Sequence, residues 1–431
     1  MQWSYILVYV ALAVVVVVVH VVRRRLKERA HVAAFQEATE SGLLEPPSLH
    51  PIIDPVRCVG SAACVQACPE KAIGIIRGKA VLVNPAHCIG HGACLAACPV
   101  DAITLVFGTE KRGIDIPFVQ PNFETNVPGI FIAGELGGMG LIRKAAEQGR
   151  QALDTISSRK GGSPDYDVVI VGAGPAGLSA GLGAIEHKLR YKIFDQEDSL
   201  GGAIFHYPRN KIAMTAPVKL ALIGQVRMGE ISKEKLLDFW NTVVKKTGLV
   251  VGFSEKMENI ERRDADFVVK TNKASYSARS VLLAIGRRGS PRKLGVPGEE
   301  LPKVVYRLID PEQYRNMAVL VVGGGDSALE AAIAIAEQPG TQVVLSYRSA
   351  AFARVKEKNR TRLDEEQKAG HVRVLLNSKV KTITSDSATL EFDGREEAMR
   401  NDGVIVCAGG ELPIPLLQKI GISFETKRGT V

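Results

Sequence analysis

Six of the seven cysteines in this 431-residue chain fall into two runs of identical spacing. Cys58, Cys64 and Cys68 precede Pro69, and Cys88, Cys94 and Cys98 precede Pro99. Thiols grouped in this way, rather than scattered as pairs, are spaced for metal and point to a reducing compartment. The repeat calls for a small duplicated unit that gathers sulfur around two centres, and it makes electron transfer the first function to consider. What three thiolates hold at each centre stays open. Cys407, the seventh, lies in the apolar stretch Val404–Ala408 and is expected to be a buried, inert thiol.

Between the runs, Ala72–Ile76, Arg77-Gly78-Lys79 and Ala80–Val83 read as a β-hairpin with glycine in its turn, and Ala102–Val106 follows the second run as a matching strand. Each half is a cysteine loop, a short helix and a strand. Residues 49–107 thus resemble the two-cluster bacterial ferredoxins, whose run C-x2-C-x2-C-x3-C-P sends its fourth cysteine to the other cluster. The resemblance implies one cluster on Cys58, Cys64 and Cys98 and the other on Cys88, Cys94 and Cys68. It also implies a missing thiolate on each side, because Ser61 and His91 stand where the family's second cysteines would be. Three thiolates suit a three-iron (3Fe-4S) cluster, or a four-iron (4Fe-4S) cluster whose last iron takes Ser61, His91, water or an outside ligand. Imidazole binds iron readily, which favours His91 over an alkoxide from Ser61. Decayed, empty sites are the alternative, against which stands the retention of three cysteines and the trailing proline in both halves.

At the N-terminus, residues 5–22 carry no full charge and are followed by Arg23, Arg24, Arg25, Lys27 and Arg29. An apolar run of this length reads as a single-pass transmembrane helix. The basic stretch behind it would lie against anionic lipid and hold residues 23–431 in the cytoplasm, at the cytoplasmic membrane. The formal charge of +9 is partly this cluster, and with no recognition module beside it, it does not argue for nucleic acid.

Further on, the strand Asp167–Val171 runs into Gly172-Ala173-Gly174-Pro175-Ala176-Gly177 and then a helix. This is G-x-G-x-x-G in the strand–turn–helix context that lets a pyrophosphate approach a helix N-terminus. Asp195, ending the next strand, is placed to accept from a ribose hydroxyl. A second copy runs from Ala318–Val322 into Gly323-Gly324-Gly325-Asp326-Ser327-Ala328. Where the first copy has Asp195, this one has Ser346, then Tyr347 and Arg348, with Arg354, Lys356 and Lys358 beyond. A carboxylate there would repel a 2′-phosphate and an arginine would bind it, so NADPH is expected ahead of NADH.

Two such units resemble the FAD-and-NAD(P) oxidoreductases of the thioredoxin reductase-like class. Leu283–Gly286, close to that class's crossover motif, and Gly295–Glu299, between its two domains, extend the likeness. The resemblance implies FAD on the first unit, with Gly202 and Gly286 beside it, and the nicotinamide on the second. Thioredoxin reductases carry a redox-active C-x-x-C just before the second glycine motif; the stretch Tyr306–Asp310 has no cysteine, which excludes that dithiol chemistry. What remains resembles the ferredoxin–NADP reductases built on the same scaffold. Their closing flavin segment, T-x-x-P-G-x-F-A-x-G-D, stands here ahead of the first glycine motif, as Thr125–Glu135, with a helix over 141–156 behind it. That order reads as a circular permutation joined by the flexible linker 157–164; service to a second subunit's flavin is the rival reading. By analogy Gly134 and Glu135 would meet the flavin's ribityl chain or phosphate, and the helix N-terminus near Gly140 would face its ring.

The expected fold is therefore α/β: two Rossmann-like domains for FAD and NAD(P), a small α+β ferredoxin-like domain and one N-terminal transmembrane helix. The expected boundaries are an anchor at 1–22, a basic linker at 23–48, the ferredoxin-like unit at 49–107 and the permuted flavin segment at 108–157. The FAD domain follows at 158–297, the NAD(P) domain at 298–410 and a return to the FAD domain at 411–431. The function implied is a membrane-anchored oxidoreductase moving electrons between NAD(P)H, FAD and two iron–sulfur clusters, with no acid–base triad. A membrane redox relay or sensor with non-catalytic clusters, and a flavin-only reductase with structural clusters, are the alternatives. The outside redox partner (a soluble carrier, a quinone or a membrane complex), the direction of flow and homodimer formation stay open.

Overall fold

The computed structural model describes every residue except 1, 41–43, 47–48, 91, 111–112, 139, 161–163, 210, 216, 288, 353–354, 356 and 430–431, and every side chain except theirs and those of 2–8, 214, 290 and 357. The described chain divides into two compact units.

The first unit opens with helix α1, Gln2–Glu40. The expected membrane anchor is not found: among the described residues no helix is long and apolar enough to cross a membrane. The anchor and the placement at the cytoplasmic membrane are accordingly not supported. Residues 23–40 are not a loose spacer either, because the second half of α1 docks on the cysteine unit. His31 Nδ1 lies 3.0 Å from the N–H and 3.3 Å from the carbonyl of Ile75, and Glu28 Oε1 accepts from Arg77 N–H at 2.6 Å.

The cysteine unit itself is a pseudo-symmetric pair of halves. Strand β1 (His50–Ile53) leads to the short helix α2 (Ala63–Ala67) and the hairpin β2 (Ile73–Ile76) and β3 (Lys79–Leu82). Helix α3 (Ala93–Ala96) and strand β4 (Ile103–Val106) repeat the pattern, β4 closing antiparallel on β1. The hairpin turns through Arg77 and Gly78, both at positive φ, which matches the twist of its strands. Gly60, at φ +69°, packs under that turn: a side chain there would stand 2.1 Å from the Gly78 carbonyl oxygen.

The second unit is built around two large sheets, of six and five strands, with smaller ones beside them. Strand β5 (Ile114–Pro117) pairs antiparallel with the C-terminal strand Phe424–Lys427. Strand β6 (Ile130–Ile132) then joins the first sheet beside Ser275–Leu283, in parallel register with Leu283 opposite Ile132. Helix α4 (Ile142–Ser157) leads back to β7 (Tyr166–Val171), α5 (Pro175–Glu186) and β8 (Tyr191–Phe194). Ser275–Leu283 is flanked by β7 on its other edge, and β8 lies outside β7. Alternation along the strands sends Phe131, Ile170, Ile193 and Leu282 to the helix face, where they are sealed under Leu153, Leu178 and Leu182. Ile130, Ile132, Val169 and Leu283 point the other way and are covered in part by Leu417 and Ile422 of the C-terminal stretch. The second sheet is parallel, in the order Val304–Val305, Gly403–Val406, Ala318–Val322, Gln342–Ser346 and Val372–Leu375, with helix Asp326–Ala336 following its glycine turn.

Candidate functional site

Three groups of residues carry chemistry. In the first unit, the cysteines sort across the two runs. Cys58, Cys64 and Cys98 line one cavity together with Ser61. Cys68, Cys88 and Cys94 line a second. Cys64 and Cys94 are buried on α2 and α3, each entered through a residue at positive φ, Ala62 or Gly92. Backbone N–H groups of Ala72, Ala80 and Ala102 approach the sulfurs of Cys68, Cys58 and Cys98 at 3.4, 3.4 and 3.3 Å. Such donors stabilise sulfur that carries negative charge. Burial and neighbouring thiols raise the thiol pKa values of Cys64 and Cys94, and burial pushes that of Cys88 up to about 11. Thiols gathered so closely in a dry site ionise together only around a cationic centre. Among the described residues no three His, Cys, Asp or Glu converge on a single ion position. Thiolates that each take a different iron have no need to converge, so the lining suits a cluster and not one ion. Ser61 is exposed, its Oγ 3.5 Å from Ala63 N–H, and His91 lies outside the described residues.

The second group surrounds the first glycine turn. Gly172 sits at φ +109°, where a Cβ would stand 2.5 Å from the Ala284 carbonyl oxygen, and a Cβ on Gly177 would stand 1.8 Å from the Gly172 oxygen. Strand, turn and helix are therefore pressed together at backbone contact. Helix α5 begins with Pro175 after Gly174, with no side-chain cap, so its first N–H groups face outward for an anion. Gly202 packs on Gly174, where a Cβ would meet the Gly174 Cα at 3.0 Å. Asp195 is buried, accepting from Ala173 N–H at 2.6 Å and from Glu197 N–H at 3.0 Å. Burial raises its pKa against the pull of those two donors. Each carboxylate oxygen keeps a second lone pair for a ribose hydroxyl.

Residues 134–148 reach the same place. Gly134, at φ +87°, lies against Ala176 of the glycine turn, and its N–H donates to Gln148 Oε1 at 2.9 Å. Glu135 Oε1 stands 3.4 Å from the position a Gly140 Cβ would take, and α4 starts after Leu141 without a side-chain cap. Beyond the crossover glycine Gly286 (φ +66°), the half-buried Arg287 donates to the Asp115 carbonyl at 3.0 Å. Burial lowers its pKa, with Glu135 and Asp115 opposing. Gln148 and Arg287 escaped the motif-based reading because neither belongs to a motif; only the fold brings them in.

The third group is the second glycine turn. Gly323 (φ +147°) donates its N–H to the Ser346 carbonyl at 2.9 Å, and a Cβ there would stand 2.4 Å from the Cys407 oxygen. Gly325 opens into free space, while Asp326 Oδ1 accepts from Asn359 Nδ2 at 2.8 Å and Ala328 is buried. Ser327 offers its carbonyl to Cys407 Sγ at 3.8 Å. Cys407 is consequently not the buried thiol expected: it is half-buried and sits against the glycine turn, because the residue ending strand Gly403–Val406 emerges at the sheet's carboxyl edge. Ser346 is buried, with Oγ 2.7 Å from Ser378 Oγ, and Arg348 is exposed two residues on. Arg354 and Lys356 lie outside the described residues.

Two family profiles match the chain: the pyridine nucleotide-disulphide oxidoreductases over residues 169–431, and a 4Fe-4S dicluster domain over residues 50–99. Bacilliredoxin reductase Bdr of Bacillus subtilis (strain 168) is 25% identical over 268 residues, 61% of this chain and 82% of that protein. A ferredoxin–NADP reductase of Pediococcus pentosaceus is 30% identical over 254 residues, 57% of this chain and 73% of the relative. Among solved structures, the bacillithiol disulfide reductase of Staphylococcus aureus superposes with a TM-score of 0.54 at 24% identity, covering 61% of this chain and 81% of that one, a likeness of fold.

Proposed function

Because this chain belongs to the pyridine nucleotide-disulphide oxidoreductase family and is an FAD-dependent oxidoreductase with a 4Fe-4S domain, we propose that it passes electrons between NADPH and a one-electron carrier through FAD and two iron–sulfur clusters, in the manner of a ferredoxin–NADP reductase with its ferredoxin attached. The observation that carries this reading is the sorting of six cysteines across two runs into two three-thiol cavities, in a chain whose flavoprotein half has no cysteine in the stretch Tyr306–Asp310. FAD bound at the first glycine turn would take two electrons from the nicotinamide and release them singly.

The chain's own residues position and tune. Asp195 and the open N-terminus of α5 would hold the ribose and pyrophosphate. Glu135, Gln148 and the start of α4 would border the isoalloxazine side. Gly325 and the start of helix Asp326–Ala336 would take the second pyrophosphate, and Arg348 the 2′-phosphate. The order in which the flavin-closing segment precedes the first glycine turn is a circular permutation within one chain: β6 supports it by adding to the sheet through Ser275–Leu283 of the same chain. That order joins the cysteine unit covalently to the flavin-closing segment, which raises the effective concentration of one redox unit at the other.

Anaerobic titration of the reconstituted full chain with NADPH tests the reading, with flavin absorbance and cluster paramagnetism followed together. Bleaching of the flavin followed by a change in the cluster signal is expected. A flavin that bleaches while the clusters never respond defeats it.

A further inference from the structure

The two cavities differ in one residue that no cysteine motif identifies. After Cys98-Pro99 the first cavity is lined by Val100; after Cys68-Pro69 the second is lined by Glu70. Glu70 Oε1 is buried and has no hydrogen-bond partner among the described residues. A carboxylate oxygen stripped of water and left unpaired costs a few kcal/mol. Here it also lines the same cavity as Cys68, Cys88 and Cys94, which carry negative charge themselves once they bind metal. Neither cost persists if the cavity holds a cationic centre short of one ligand. Iron accepts carboxylate oxygen, and three thiolates leave one iron of a four-iron cluster open.

We propose that Glu70 is the fourth ligand of the second cluster, so that this cluster is four-iron with three thiolates and one carboxylate, while the first, with Val100 at the equivalent place, lacks such a ligand. The inference rests on the iron–sulfur reading above and deepens it. The proposal fixes which of the two centres keeps four irons under oxidation. His91 is the competing ligand.

The test is anaerobic reconstitution of the full chain with iron and sulfide, followed by metal and sulfide counts and low-temperature spin resonance before and after mild oxidation. Glu70→Gln keeps the shape and removes the anionic ligand; it is expected to hold roughly one iron fewer per chain than the wild type, with a larger three-iron signal after oxidation. Glu70→Cys supplies a thiolate in the same place and is expected to restore the iron while shifting the spectrum of one cluster only. If Glu70→Gln does not fold, Glu70→Cys decides alone: a spectrum identical to wild type overturns the proposal. So does a Glu70→Gln protein with unchanged iron and spectra, or a loss of iron that follows His91→Ala and not Glu70→Gln. A wild-type chain that takes up no iron or sulfide sinks the cluster reading itself, which separates that failure from this one.

Discussion

Gly149 lies in the middle of α4, and a substitution there tests whether the displaced segment seats on its own chain's flavin turn. Helix propensity alone says that Gly149→Ala stabilises, by about 0.5–1 kcal/mol. The packing says the reverse. A Cβ on Gly149 would stand 2.0 Å from the Ala176 carbonyl oxygen, 2.8 Å from its carbon and 3.0 Å from its Cα. These are backbone atoms at the start of α5, and no rotamer change relieves them. Ordinary contact needs about 3.5 Å, so α4 and α5 must part by roughly 1.5 Å. Ala152 and Leu153, both fully buried, would lose close packing as the helices part. Overpacking of this kind costs about 1–3 kcal/mol, which outweighs the propensity gain and leaves a net loss of about 1–2 kcal/mol.

For a unit of this size the loss corresponds to a fall in melting temperature of roughly 2–8 °C. Calorimetry of the full chain reads it, with flavin release followed in parallel. Gly229→Ala is the control: its Cβ would meet nothing within 4 Å and its φ is not positive, so the change is expected within about 0.5 kcal/mol. A Gly149→Ala protein as stable as the wild type would falsify the close seating of α4 on the glycine turn. A loss that disappears as protein concentration rises would mean that α4 docks on a second subunit.

Crossed ligation makes Cys68→Ala alter the same paramagnetic signal as Cys94→Ala, and Cys98→Ala the same one as Cys64→Ala; signals that instead group by sequence run would refute the sorting. Arg348→Ala is expected to raise the KM for NADPH about 10–100-fold, the worth of one charge-assisted contact, and to leave the KM for NADH unchanged; equal effects on both coenzymes would remove Arg348 from the 2′-phosphate. Asp195 supplies a pH signature. Its folded pKa is raised by burial, so the stability it contributes is complete below its unfolded pKa and is lost as pH rises through the folded value. The melting temperature of apo-protein Asp195→Asn relative to wild type should therefore climb across that window and level off above it; a flat or falling difference would contradict the burial argument.

Patterns that repeat locally were readable from the residues. The hairpin over 73–82 and the two glycine turns follow from short-range spacing, the crossed cysteine sets are what the resemblance to two-cluster ferredoxins implies, and the structure brings their members together. What spacing could not supply was anything set by packing between distant segments. The docking of α1 through His31 and Glu28 depends on a hairpin edge more than forty residues away. The run 5–22 read as a span from its length and the arginines behind it, yet among the described residues no helix is long and apolar enough to cross a membrane. Gln148, Arg287 and Glu70 sit in no motif, and burial of the Glu70 oxygen has meaning only beside three sulfurs contributed by both halves. Cys407 was misjudged because an apolar strand suggests burial, whereas the residue just past its carboxyl end emerges at the site.

The permuted order proposed above has a physical requirement: residues 114–159 must be held to the strands around them by contacts other than chain continuity, and such contacts are present on both sides. At the joint, Arg279 on the strand Ser275–Leu283 donates through one nitrogen to the Arg159 carbonyl at 2.9 Å and pairs through the other with Asp167 at 2.7 Å. One guanidinium thus spans the end of the α4 segment and the start of β7. Arg159 in turn pairs with Glu124 at 2.7 Å, and the same Glu124 oxygen accepts from Gly129 N–H at 2.7 Å, fixing the approach to β6. At the tail, Asn126 donates to the Gly421 carbonyl and accepts from Ser423 N–H at 2.8 and 2.9 Å, and Phe424–Lys427 pairs with β5. Residues 114–126 are therefore hydrogen-bonded to residues 421–427, remote in sequence and adjacent in space, which is the neighbourhood the proposed permutation requires.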